Sequence, residues 1–131
     1  MYTFKKEERL CSKKLLEKLF HNGSSFLVYP FRIVSIPETL RVTSPAQVVI
    51  AVSKRKFKHA VDRNLVKRRV REAYRLNKDA LLYSFLKEKN LKLIIGIHYI
   101  GKEIAEFQFI EKKLKIAISK LVESYAESQS S

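Results

Sequence analysis

The chain holds a single cysteine, Cys11, and no tryptophan. One thiol cannot close an internal disulfide, and no Cys-x-x-Cys pair or Cys/His cluster has metal-ligand spacing, so a reducing compartment is expected and a metal site is not. Long apolar runs are also missing. No segment approaches the roughly eighteen uninterrupted apolar residues of a bilayer-spanning helix, and the opening MYTFKKEERL carries charges where a secretory signal needs an apolar run. The expectation is a soluble cytoplasmic protein. Acidic residues are few: 13 Asp and Glu face 27 Lys and Arg, giving a net charge of +14 and a pI near 10.0. Such an imbalance favours a polyanionic partner, either nucleic acid or an acidic membrane surface. Clustered catalytic groups are lacking as well. His21, His59 and His98 fall in different segments, and no carboxylate pair has general acid/base or metal-binding spacing. No catalytic residue is therefore expected on the protein itself.

What is present is the composition of a folded domain. The 131 residues are 46% hydrophobic and 31% charged, enough for one core and short for two, so a single domain over 1–131 is expected. A basic arm (1–11) and a tail (127–131) read as flexible. Leu15, Leu16, Leu19 and Phe20 recur at helical spacing behind Ser12, a good N-cap, and Gly23 can end the turn, which predicts a helix over 12–21. Residues 24–37, SSFLVYPFRIVSIP, alternate as strands, with Phe31, Ile33 and Ser35 on one side and Arg32, Val34 and Ile36 on the other. Pro30 should divide this stretch or put it at an edge. A loop is predicted over 38–45, and the apolar run AQVVIAVS after it reads as a strand buried on both faces. A helix over 59–77 then leads to a second apolar strand, LKLIIGIHYI (91–100), so the two strands can be parallel neighbours. Ile110, Leu114, Ala117, Ile118, Leu121, Val122 and Tyr125 form the stripe of a closing helix. The order predicts an α+β fold, a sandwich of helices on a mixed sheet.

The helix over 59–77 and the segment before it concentrate the charge. From Lys54 to Arg75 there are ten cations (Lys54, Arg55, Lys56, Lys58, Arg63, Lys67, Arg68, Arg69, Arg71 and Arg75) against two carboxylates, Asp62 and Glu72. With Arg63 at zero and about 100° per residue, Lys67, Arg71, Asn64, Arg75 and Arg68 fall at roughly 40, 80, 100, 120 and 140°. Val66, Val70 and Ala73 fall at roughly 300, 340 and 280°, so the helix has a basic face and an apolar face. A solvated face ordinarily interleaves signs. Here Arg63, Lys67, Arg71 and Arg75 repel one another at four-residue spacing, which costs a few tenths of a kcal/mol per pair and calls for an external anion. Guanidinium groups grip phosphate bidentately, and Asn64 adds an amide that can reach a phosphate, a ribose or a base edge. A membrane fits less well, because the face opposite the charges is Val and Ala rather than bulky side chains. A DNA-reading helix-turn-helix would need a helix where the preceding residues read as a strand.

The same stretch, SKRKFKHAVDRNLVKRRVREAYR (53–75), resembles the signature of the bacterial ribonuclease P protein subunit. Ala60, Val61, Arg63, Asn64, Lys67, Arg68, Arg71, Glu72 and Arg75 match that signature position by position; Leu65 departs from it, standing where the family has a second arginine. The resemblance extends more loosely to the arm with Arg9 and Leu10, the first helix, the strands and the last helix. It implies a noncatalytic protein subunit of a ribonucleoprotein endoribonuclease that removes the 5′ leader of precursor tRNA, with Mg²⁺ bound mainly through the RNA subunit. It implies an RNA-binding surface of Lys54, Arg55, Lys56, Arg63, Asn64, Lys67, Arg68, Arg71 and Arg75. It also implies a leader-binding cleft, for which Leu16, Phe20, Phe31 and Arg32 are the candidates, with Phe26 and Tyr29 as further strand residues that could line it. Phe20 matches a family aromatic, whereas Leu16 replaces another. The implied partners are the ribonuclease P RNA and precursor tRNA with its 5′ leader, with neither membrane nor DNA. The implied fold is a two-layer sandwich on about four strands with a left-handed βαβ crossover, shared with one domain of a small-subunit ribosomal protein; the general preference for right-handed crossovers argues the other way. The alternatives are a ribosomal-type structural RNA-binding protein without processing activity and, less well supported, a nuclease with its own active site.

Overall fold

The computed structural model describes residues 4–39 and 43–130, with side chains up to residue 127. Positions 1–3 of the arm, 40–42 of the predicted loop and 131 of the tail lie outside the described residues. After a short turn of 3-10 helix, Lys6–Glu8, come helix α1 (Lys13–Asn22), strands β1 (Ser24–Val28), β2 (Phe31–Pro37) and β3 (Ala46–Val52), and helix α2 (Ala60–Lys78). A wide π turn (Asp79–Tyr83) carries the chain into α3 (Ser84–Glu88), then β4 (Leu93–Tyr99) and α4 (Phe107–Ser130). The strand order is β1-β2-β4-β3, with β4 antiparallel to β2 and parallel to β3. The expected α+β sandwich on a mixed four-stranded sheet is the observed one.

Local chemistry sets the element ends. The Ser12 hydroxyl accepts the Leu15 N–H at 3.3 Å, and the Gly23 N–H closes on Leu19 O at 2.8 Å, so α1 runs between the two residues predicted to cap it. Pro30 does divide the 24–37 stretch: Tyr29 and Pro30, joined by a cis peptide, form the turn of the β1-β2 hairpin. Helix formation does not stop at 77 but continues through the π turn to Glu88, because Leu82, Tyr83 and Leu86 remain buried in the core.

The sheet separates two apolar clusters of unequal size. On one face Phe31, Ile33, Val48, Leu93, Ile95, Ile97 and Tyr99 meet Val66, Val70, Ala73 and Tyr74 of α2 and Ile110, Leu114, Ala117, Ile118 and Leu121 of α4. On the other face Val34 and Ile94 pack with Leu10 and Leu19, bordered by Leu15, Leu16, Ile36 and Val49. α1 covers only part of that second face.

The arm is not loose over its described residues. Leu10 N–H donates to Val48 O at 2.9 Å and Arg9 bridges Val48 in parallel, so the arm covers the outer edge of β3. Glu8 is buried. Its carboxylate accepts from the Lys5 N–H at 2.5 Å, from the Tyr83 hydroxyl at 3.1 Å and from the ammonium of Lys78, itself buried at the end of α2. The expectation of a flexible arm over 1–11 is corrected for these residues: a buried charge needs a charged partner, and Lys78 supplies it.

Candidate nucleic-acid interface

The apolar side of α2 is fixed by the core. Val66, Val70 and Ala73 are fully buried, as is Tyr74 at the border, so the arc containing Asn64, Lys67, Arg68 and Arg71 turns outward. Asn64, Arg68 and Arg71 are exposed and Lys67 is half-buried; among the described residues none of these three cations is in an ion pair. The other cations of this surface have partners within the chain. Arg63 donates to Phe57 O at 2.7 Å and Lys58 O at 3.1 Å, so part of its fork braces the loop that enters α2. Arg75 donates to both carboxylate oxygens of Glu72, from Nε at 3.0 Å and Nη2 at 2.5 Å, which holds the Glu72 carboxyl below the usual carboxylate range. The Lys56 ammonium bonds Ile100 O, and Lys54 and Arg55 are exposed in the same loop. Arg69 donates to Ala105 O at 2.6 Å and turns away from the arc, so it does not stand in for the arginine absent at Leu65.

The opposite face of the sheet carries a second surface. Leu27, Arg32, His98 and Ala51 form one rung across β1, β2, β4 and β3, in strict cross-strand register. The next rung, Ser25, Val34, Gly96 and Val49, lies against α1. Phe20, on the last turn of α1, packs its ring on His98 at 5.4 Å between centroids and still has 52% of its surface exposed. Arg32 is exposed beside it, and Leu16, one turn earlier, is half-buried in the smaller apolar cluster. Phe20, Arg32 and Leu16 thus share this face.

Phe31 does not belong to it. Its side chain points to the α2/α4 face and is fully buried edge-on to Tyr99 at 5.8 Å, because a neighbour of Arg32 along a strand must face the other way. Phe26 is on that same side, under the Lys120 ammonium, while Tyr29 is exposed in the hairpin turn. Two features of this face escaped sequence reasoning. In the sequence His98 is only one of three scattered histidines, and the strand register and ring contact reveal that it is the floor beneath Phe20. Lys5, Lys6 and Arg9 also border a hollow of about 680 Å³ with Cys11, Ser12 and Gln47, which nothing short of the arm's docking would disclose.

Among the described residues no three His, Cys, Asp or Glu side chains gather as metal ligands. No helix among them is long and apolar enough to cross a membrane.

A family model described as Ribonuclease P matches residues 4–122. The chain belongs to the ribonuclease P protein family. It is 32% identical over 120 residues to the ribonuclease P protein component of Porphyromonas gingivalis, an alignment spanning 92% of this chain and 87% of that protein. It is 42% identical over 76 residues to the counterpart from Petrotoga mobilis, spanning 58% of this chain and 61% of that one. The fold matches the ribonuclease P protein of Thermotoga maritima with a TM-score of 0.68 at 21% identity, over 86% of this chain and 96% of that one. The protein from Staphylococcus aureus gives 0.64 at 19% identity, over 87% and 94%. As a ribonuclease P protein component, the chain is part of an RNA-processing enzyme with an RNA partner.

Proposed function

We propose that the chain is the RNA-binding subunit that assists a ribonuclease P RNA in cutting the 5′ leader from precursor tRNA, with the α2 arc on the RNA subunit and the Phe20 face on the single-stranded leader. The observation that carries this reading is the outward arc of Asn64, Lys67, Arg68 and Arg71, three cations on one helix face with no ion pair among the described residues. Phosphate is the anion such a face suits, since each neutralised phosphate releases counterions. Phe20 is suited to unstacked bases rather than to duplex, since an exposed ring offers a platform to any base freed from its stack. In this reading Mg²⁺ belongs to the RNA subunit and the protein contributes binding and orientation.

Cleavage of precursor tRNA by a bacterial ribonuclease P RNA at low Mg²⁺, with and without the protein, tests the proposal. The protein should raise cleavage by the RNA and should cut nothing alone. Cleavage without the RNA subunit would return the nuclease alternative, and RNA binding without stimulation would favour a purely structural RNA-binding role.

A further inference from the structure

The Nε2 atom of His98 is buried and has no hydrogen-bond partner among the described residues. Its surroundings explain how it is held. Gly96 leaves the space the imidazole lies in: a Cβ there would stand 3.1 Å from Nε2 and 2.8 Å from Val34 Cγ1. The ring of Phe20 packs against the imidazole at an interplanar angle of 62°, and Arg32 is the direct cross-strand neighbour on β2. A lone polar nitrogen, an exposed aromatic against it and an arginine alongside are three of the elements that recognise one unstacked nucleotide: an edge contact, a stacking face and a phosphate contact.

We propose that His98 is a specificity-determining residue of the Phe20 face, its Nε2 bonding the edge of one leader base that stacks on Phe20, with Arg32 on the adjoining phosphate. The inference rests on the leader-binding reading of that face. Turning of the Phe20 ring to take a base uncovers the nitrogen, which then gains the partner it lacks in the free chain. Burial, with the Arg32 charge, lowers the His98 pKa, so the imidazole is neutral near pH 7 and offers one donor and one acceptor nitrogen rather than two donors. A single neutral nitrogen discriminates among bases by donor or acceptor pattern, which a stacking platform alone cannot do.

The test uses the reconstituted holoenzyme and a set of precursor tRNAs in which each leader position in turn carries each of the four bases. At one position the native protein should give a spread in kcat/KM of about three- to tenfold, the discrimination one hydrogen bond provides. His98→Phe, which keeps a ring against Phe20, should flatten that spread while still stimulating cleavage. His98→Gln, which supplies an amide in place of the imidazole, should reorder the preferred bases, and it decides the matter should His98→Phe fail to fold. A native protein with no base preference at any position, or variants that retain the native spread, would overturn the proposal while leaving leader binding intact. Absence of any stimulation by the native protein would overturn the leader-binding reading as well.

Discussion

Lys78 and Glu8 place opposite charges in the interior, their side chains 3% and 7% exposed, with the Tyr83 hydroxyl as a further donor to the carboxylate. Replacing one member of a buried pair strands the other, so Lys78→Met should cost about 3–5 kcal/mol of stability. Chemical denaturation of the variant checks this; a loss below about 1 kcal/mol, as for an exposed pair, would mean the arm is not held by this contact. His98 makes a second prediction at this scale. Its pKa is lowered in the folded chain from an ordinary 6.5, first by burial and then by Arg32. The unfolded chain therefore takes up the proton first, and stability is lost as pH falls from about 6.5 through the folded pKa. Between about pH 7.5 and about pH 5.5 the native protein should lose more stability than His98→Phe, whereas parallel losses would place the imidazole in contact with solvent. Neither residue was legible as a partner in the sequence. Glu8 and Lys78 are seventy positions apart, and a lone charge in a charged arm gives no sign of burial.

Helix α2 shows what periodicity carries and what it leaves out. The angles of Val66, Val70 and Ala73 sufficed to predict the buried side, since a helix packed on a sheet must turn its apolar stripe inward. They could not distinguish Arg71, without an ion pair among the described residues, from Arg75, clasped by Glu72, or from Arg63, bonded to the loop carbonyls. Those differences come from three-residue neighbours and from loops that fold back. They separate the cations by task. Arg71→Ala removes a like-charge neighbour of Lys67, so stability should hold or rise by a few tenths of a kcal/mol. RNA binding should weaken, with the log-log salt slope falling by roughly 0.7–0.9 for the lost phosphate contact. Arg75→Ala should change the slope less, because its guanidinium is already partly neutralised. Denaturant titration alongside RNA binding at several salt concentrations separates the two effects; equal slopes for native and Arg71→Ala would mean that this side chain meets no phosphate.

At the scale of the molecule, the sheet divides two surfaces that can be varied separately. Strand alternation sorts the side chains of β2 into two sets, but which set α1 covers follows from the strand order β1-β2-β4-β3 and the arm on the β3 edge. Both are long-range outcomes, which is why Phe31 read as a cleft candidate although it is buried on the α2/α4 side, and its neighbour Arg32 is the one exposed on the face that Phe20 shares. The architecture nonetheless makes a strong claim about energetics. The α2 arc and the Phe20 ring stand on elements packed against opposite faces of the sheet and share no partner, so losses at the two should add. Phe20→Ala should weaken holoenzyme binding of leader-bearing precursor tRNA by about 1–3 kcal/mol for a lost stacked base, with binding of mature tRNA and of the RNA subunit unchanged. Lys67→Ala with Arg71→Ala should weaken assembly with the RNA subunit whether or not a leader is present. The triple variant should show the sum of the two effects within about 0.5 kcal/mol. A coupling well beyond that, measured on the same precursor at one salt concentration, would mean that one continuous RNA surface wraps the β3 edge, and the basic hollow of Lys5, Lys6 and Arg9 would be the place to look for it.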